Sequence, residues 1–234
     1  MQQGSYLLCS LDVGGSSDPA AIAVALVSRQ DRLTRARILH MEVVRPVVTP
    51  TRHIALVQEV MEAITYKATG RGVTRYVVDV SNNSAIAFLL AQALPRSSLV
   101  GCRITGGESH GAGLQPLAVG DVNGRATAIP TMNLSRRQML LDLGVALQSK
   151  QLTLPLDDPE MKGAVQELKS QMNRASLKTT PSGKKIARVQ SGHDDLLLAV
   201  AQLWCCTRLP APRDPTGAAL AKAERETPTA LGWT

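Results

Sequence analysis

The chain has 234 residues, 44% of them hydrophobic, with 26 Lys plus Arg against 19 Asp plus Glu, for a formal net charge of +7. That length supports one α/β domain with a sizeable core, or one domain and a tail. There is no apolar run of about 18 residues, which argues against a membrane span, and Met1-Gln2-Gln3-Gly4-Ser5 has no basic or apolar leader region, so secretion is not expected.

The basic balance favours a polyanionic partner. Aromatic residues are scarce: Tyr6, Tyr66, Tyr76, Phe88, Trp204 and Trp233 are the full set. Nucleic acid, if bound, would therefore be gripped at its phosphates by Lys and Arg rather than stacked on rings. The cysteines are Cys9, Cys102, Cys205 and Cys206. They lack CxxC or Cys/His spacing, so a structural zinc is not expected, and they read as small core residues in a reducing compartment.

In chain order, Tyr6 to Val13 reads as an apolar strand, followed by a turn at residues 14–19. Strands are expected at Ala20 to Arg29 and Leu33 to Val44, joined as an antiparallel meander. Thr51 to Thr69 has helical spacing at Ile54, Leu56, Val57, Val60, Met61 and Ile64. A strand at Thr74 to Val80, a helix at Ser84 to Leu94 and a strand at Ser98 to Ile104 follow. Residues 105–130 are glycine-rich and read as irregular. Helices are expected at Leu134 to Lys150, capped by Asn133 or Ser135, and at Asp158 to Met172. Ala175 to Leu177 and Lys185 to Val189 flank Thr-Pro-Ser-Gly and read as a hairpin. An apolar helix, Asp194 to Thr207, closes the pattern. Residues 1–208 thus form one α/β unit, with helices packed on a mixed sheet of at least five strands plus the hairpin. Residues 209–234 form a Pro/Ala-rich tail.

Three acidic positions interrupt apolar elements. Asp12 ends Leu-Leu-Cys-Ser-Leu-Asp, Asp79 sits in Tyr-Val-Val-Asp-Val, and Asp194 with Asp195 opens the last helix. A carboxylate in a buried strand is costly unless it is paired, hydrogen-bonded or bound to a cation. Two such strands side by side would bring like charges together, and a divalent cation resolves that conflict. Mg²⁺ and Mn²⁺ prefer carboxylate oxygens, and two such ions can drive phosphodiester hydrolysis. The plain structural alternative for Asp194 or Asp195 is a helix N-cap. For Asp18 it is a turn former.

The chain resembles the nuclease domain of large terminases from tailed bacteriophages, a branch of the RNase H-like superfamily. The resemblance rests on Leu11-Asp12-Val13-Gly14 with Asp18-Pro19-Ala20-Ala21, Val77-Val78-Asp79, Ile104-Thr105-Gly106-Gly107, and Ile129-Pro130 leading into a helix. It continues with Leu152-Thr153-Leu154-Pro155 and Gly192-His193-Asp194-Asp195-Leu196, and spans about residues 5–207. The resemblance implies two-metal hydrolysis of double-stranded DNA, with two Mg²⁺ or Mn²⁺ ions. Asp12 and Asp79 would be ligands and the Asp194–Asp195 pair would supply the third acid. Asp195 is favoured as the primary ligand, leaving Asp194 for the second metal or a supporting position. His193 and Asp18 are auxiliary candidates; His40, His53 and His110 read as structural or solvated.

Arg136, Arg137, Arg174, Lys178, Lys184, Lys185 and Arg188 are the candidate phosphate contacts. The resemblance also implies cutting of concatemeric viral DNA during packaging, in the cytoplasm of an infected bacterial host. Its partners would be an ATPase motor, a small terminase and a portal. Residues 182–185, Ser-Gly-Lys-Lys, do not make a P-loop, so no ATP hydrolysis is expected from this chain, which reads as an excised domain or a stand-alone subunit. Competing readings are a Holliday-junction-resolvase-like nuclease and a catalytically inactive DNA or packaging adaptor of the same fold. An actin-like ATPase ranks last, because no second phosphate loop is evident.

Overall fold

A near-continuous apolar run suits a strand covered on both faces. The computed structural model places that run in β1 (Gly4–Asp12), inside an eight-stranded mixed sheet. The structure describes residues 4–12, 19–30, 33–44, 73–81, 84–93, 98–106, 110–111, 113–120, 124–179, 185–189 and 193–210. The helix expected at Thr51 to Thr69 lies outside them, as do Asp18 and Lys184.

β1 pairs antiparallel with β2 (Ala20–Gln30), which pairs antiparallel with β3 (Leu33–Val44). On its other side β1 runs parallel to β4 (Val73–Asp79), and β4 runs parallel to β5 (Leu99–Thr105). These five strands are the expected α/β core, and the sheet then extends beyond it. β6 (Gln115–Gly120) and β7 (Ala126–Ser135) form an antiparallel pair, with β7 parallel to β5. The two-residue β8 (Leu152–Thr153) borders β3.

The expectation of an irregular stretch over residues 105–130 is therefore wrong. Two prolines and several glycines hide the strands. Pro116 and Pro130 stand opposite each other in the β6–β7 pair, and β7 meets β5 only from Thr131 onward. Neither proline takes a place in a central ladder, which is where a missing N–H would be costly. Gly124, at φ +79°, supplies the left-handed backbone of the turn between the two strands.

Side-chain alternation sends the two faces of the sheet to different helices. Leu7, Cys9, Leu11 and Val78 pack with Ala87, Phe88 and Leu90 of α1 (Ser84–Ala93). Tyr6, Leu8 and Val77 belong to the larger core with α2 (Arg136–Gln148), α3 (Lys162–Arg174) and α4 (Asp195–Cys206). All residues of α4 are buried. It lies on β1 and β2 and against α2 and α3, so an apolar surface all round is what its position requires.

α2 starts two residues later than expected, because Leu134 and Ser135 still belong to β7. Ser135, not Asn133, is the N-cap, its hydroxyl accepting from the Gln138 N–H at 3.2 Å. α3 is preceded by a 3₁₀ turn, Pro159–Met161, capped by Asp158. The expected hairpin is β9 (Ala175–Thr179) against β10 (Lys185–Val189). The packed chain runs on through Leu209, which is buried, while Arg29 of β2 donates to the carbonyls of Thr207 and Leu209. Among the described residues, no helix is long and apolar enough to cross a membrane.

Gly101, on β5, tests the packing between sheet and side chains. A Cβ there would stand 2.5 Å from Thr131 Oγ1 and 3.1 Å from Ile129 Cδ1. Thr131 is tied to the Ile129 carbonyl at 3.2 Å, so it has little freedom to retreat. Gly101→Ala is expected to cost about 1–3 kcal/mol by overpacking, read as a lower midpoint in urea unfolding.

Candidate active site

Parity and register bring the acidic residues together. Asp12 shares a face of β1 with Tyr6 and Leu8, and Asp79 shares a face of β4 with Val77, the face covered by α4. Leu11 aligns with Val78 in the parallel β1–β4 ladder, so the next residues, Asp12 and Asp79, are neighbours at the ends of their strands. Their carboxyls are close enough for each to act on the other's titration. Asp195, the first residue of α4, faces them closely enough to act on Asp12 electrostatically. The three are only 5%, 7% and 9% exposed, respectively.

Burial, then the charges of Asp79 and Asp195, push the Asp12 carboxyl well above the usual carboxylate range, opposed in part by Arg136. Burial also raises Asp79, but hydrogen bonds from Ser81 and Asp12 hold it back. Ser81 N–H and Oγ donate to Asp79 Oδ1 at 2.8 and 2.5 Å, and Ser81 Oγ accepts the Ile104 N–H at 2.7 Å. The Ser81 hydroxyl thereby locks the end of β4 to β5 and fixes the orientation of the Asp79 carboxylate. Sequence reasoning missed Ser81, whose signal is an Asp-x-Ser step just past a buried strand. Ser81→Ala is expected to lower stability by about 1–2 kcal/mol, measured by urea unfolding in EDTA.

Asp194 lies at the N-cap position of α4, yet its side chain makes no capping bond. Gln171 of α3 takes that task, its Oε1 accepting the Leu197 N–H at 2.8 Å. The Asp194 carboxylate instead pairs with Arg136, the first residue of α2. His193 Nδ1 lies 3.8 Å from Asp195 Oδ2.

Buried carboxylates converging from three separate elements form a hard-oxygen donor set of the kind Mg²⁺ or Mn²⁺ takes. Asp12, Asp79 and Asp195 are the residues that could hold such an ion. No protein-family model matches the chain, and no curated protein matches it by sequence. Solved structures do match. The large terminase nuclease from thermophilic phage G20c aligns with a TM-score of 0.51 at 15% identity, over 86% of this chain and 82% of that one. The same nuclease with bound magnesium aligns with a TM-score of 0.51 at 16% identity, over 87% and 82%. The fold is that of a large terminase nuclease domain. It is the expected RNase H-like α/β fold.

Within this terminase-nuclease fold the basic residues are spread around α2, α3 and the hairpin. Arg137 lines a cavity of about 190 Å³ together with Leu140, Met172, Ala175 and Leu197. Arg174 pairs with Glu167 at 3.5 Å and donates to the His193 carbonyl at 3.5 Å. Lys178, Lys185 and Arg188 belong to the hairpin strands, and β10 lies against α2. The side chains of those three lie outside the described residues.

Among the described residues, the one group of three ligand-type atoms that all lie within 4.8 Å of one another is His110, Asp142 and Cys205. His110 Nδ1 accepts the Ser135 N–H at 3.1 Å, which puts the ring proton on Nε2, 3.3 Å from Asp142 Oδ2. Arg208 meets the same carboxylate oxygen at 2.6 Å, and burial pushes the Cys205 thiol up. A metal would need that Nε2 stripped of its proton, a thiolate, and a carboxylate already held by Arg208. The cluster is a hydrogen-bonded latch joining residue 110 to α2 and to the end of α4.

Proposed function

We propose that this chain is the nuclease domain of a phage large terminase, a divalent-metal-dependent endonuclease that cuts concatemeric double-stranded DNA during genome packaging. The observation that carries this reading is the approach of buried Asp12, Asp79 and Asp195, with the Asp12 carboxyl pushed up first by burial and then by its acidic neighbours. Such a cluster is unfavourable by itself and becomes favourable around cations. The magnesium-bound relative supports the choice of metal class.

Asp12, Asp79 and Asp195 would hold Mg²⁺ or Mn²⁺, two ions in all, with Asp194 beside them. When bound, the ions supply an activated water and stabilise the leaving oxygen of a phosphodiester. Ser81 donates twice to Asp79 Oδ1 and would keep that carboxylate oriented for a cation. His193, whose Nδ1 lies 3.8 Å from Asp195 Oδ2, would orient a water or approach a phosphate. Arg137, Arg174, Lys178, Lys184, Lys185 and Arg188 would grip the phosphates flanking the cut. Asp18 would serve as an auxiliary group. The setting would be the cytoplasm of an infected bacterial host, with an ATPase motor, a small terminase and a portal as partners. The Pro/Ala-rich segment after Leu209 would form the docking tail.

The test is nicking and linearisation of supercoiled plasmid with Mn²⁺, Mg²⁺ or EDTA. Cutting in either metal and none in EDTA is expected. DNA bound but uncut in every condition points to an inactive adaptor. Preference for branched over linear duplex points to a resolvase-like enzyme.

A further inference from the structure

Arg136 occupies a place that helix electrostatics disfavours. The N-terminus of a helix carries partial positive charge and prefers acidic neighbours, yet α2 opens with Arg136 and Arg137 and has no acidic residue in its first turn. A cation there needs a compensating anion. Arg136 finds it in Asp194, across the gap between the first residues of α2 and α4. Both groups are withdrawn from solvent, the Arg136 side chain being 33% and the Asp194 side chain 16% exposed. Asp194 has no competing duty as a cap, because Gln171 serves Leu197. Arg136 also stands close enough to Asp12 to oppose the pull of the other acids on it. The guanidinium is thus committed to Asp194 while its charge also acts on Asp12.

We propose that Arg136 is a positioning residue, a built-in counter-cation that holds Asp194 away from the divalent ions and leaves Asp12, Asp79 and Asp195 as the primary ligands. The inference rests on the metal-dependent reading above and deepens it. A fixed positive charge beside the site repels an incoming cation, and a carboxylate engaged by Arg is withheld from it. Arg136 therefore restrains metal loading.

The test is Mn²⁺ binding to the full chain, followed by calorimetry and by the paramagnetic resonance of the free ion. It compares wild type, Arg136→Met, Arg136→Lys and Asp12→Asn. Arg136→Met is expected to bind Mn²⁺ about tenfold more tightly, while Arg136→Lys, which keeps the charge, stays close to wild type. Unchanged or weaker binding by Arg136→Met, with wild type binding and Asp12→Asn not, overturns the inference and leaves the metal site standing. Equal behaviour of the Lys and Met variants also overturns it, because packing rather than charge would then be the cause. A wild type that binds no Mn²⁺ removes the metal reading itself. Arg136→Gln, with a polar end to satisfy the neighbourhood, repeats the comparison if the Met variant fails to fold.

Discussion

Asp12→Asn is expected to reduce metal-dependent plasmid cleavage by about a thousandfold or more, while the protein stays folded and retains DNA. The side chain keeps its size but loses the charge that a divalent cation needs. Asp12 is the most deeply buried of the three acids, and the charges of Asp79 and Asp195 both act on it. Asp79→Asn should behave similarly, since Asp79 is its neighbour on β4. Cleavage by Asp12→Asn at the wild-type rate, in protein free of contaminating nuclease, would mean that the reaction occurs elsewhere.

The second large effect is on stability without metal, and its sign is opposite to that of most carboxylates. The Asp12 carboxyl is raised in the folded chain, whereas an unfolded Asp titrates near about 3.9. Between those two values the folded state binds more protons than the unfolded state, so stability falls as pH rises. The penalty is absent below the unfolded value and complete above the folded one. In EDTA, wild type should therefore gain stability relative to Asp12→Asn as the pH is lowered from about 8 to about 5. At the upper end Asp12→Asn should melt higher, by about 3 °C or more for a chain of this size. Saturating Mg²⁺ or Mn²⁺ should reverse that order, because only wild type gains from ligand binding. A variant that melts below wild type in EDTA at about pH 8 would show that the carboxylate is a net stabiliser.

Much of this site is legible in the sequence, for a physical reason. A buried strand tolerates few charges, so Asp12 in Leu-Leu-Cys-Ser-Leu-Asp and Asp79 in Tyr-Val-Val-Asp stand out from the apolar residues around them. Strand parity then puts each on a definite face, and the meander of β1 to β3 followed by β4 and β5 is written in apolar runs and turns. Asp195 is legible as the acid that opens a helix otherwise apolar but for Gln202. What pattern does not specify is partnership across the fold. Arg136 reads as a solvent-facing phosphate contact, and only the approach of α2 to α4 turns it toward Asp194. His110 reads as solitary, and only the fold brings it to Ser135 and Asp142. β6 and β7 are obscured because Pro116 and Pro130 carry the signature of a loop while standing opposite each other in a ladder. Gln171 shows the same limit: a glutamine on an amphipathic helix carries no sign that it caps another helix 26 residues away.

The most direct test of the metal centre is anomalous diffraction from crystals soaked in Mn²⁺. Anomalous difference density among the carboxylates of Asp12, Asp79 and Asp195 is the expected result. Density only among His110, Asp142 and Cys205, or none at the three acids in a crystal whose protein cuts DNA, would contradict it.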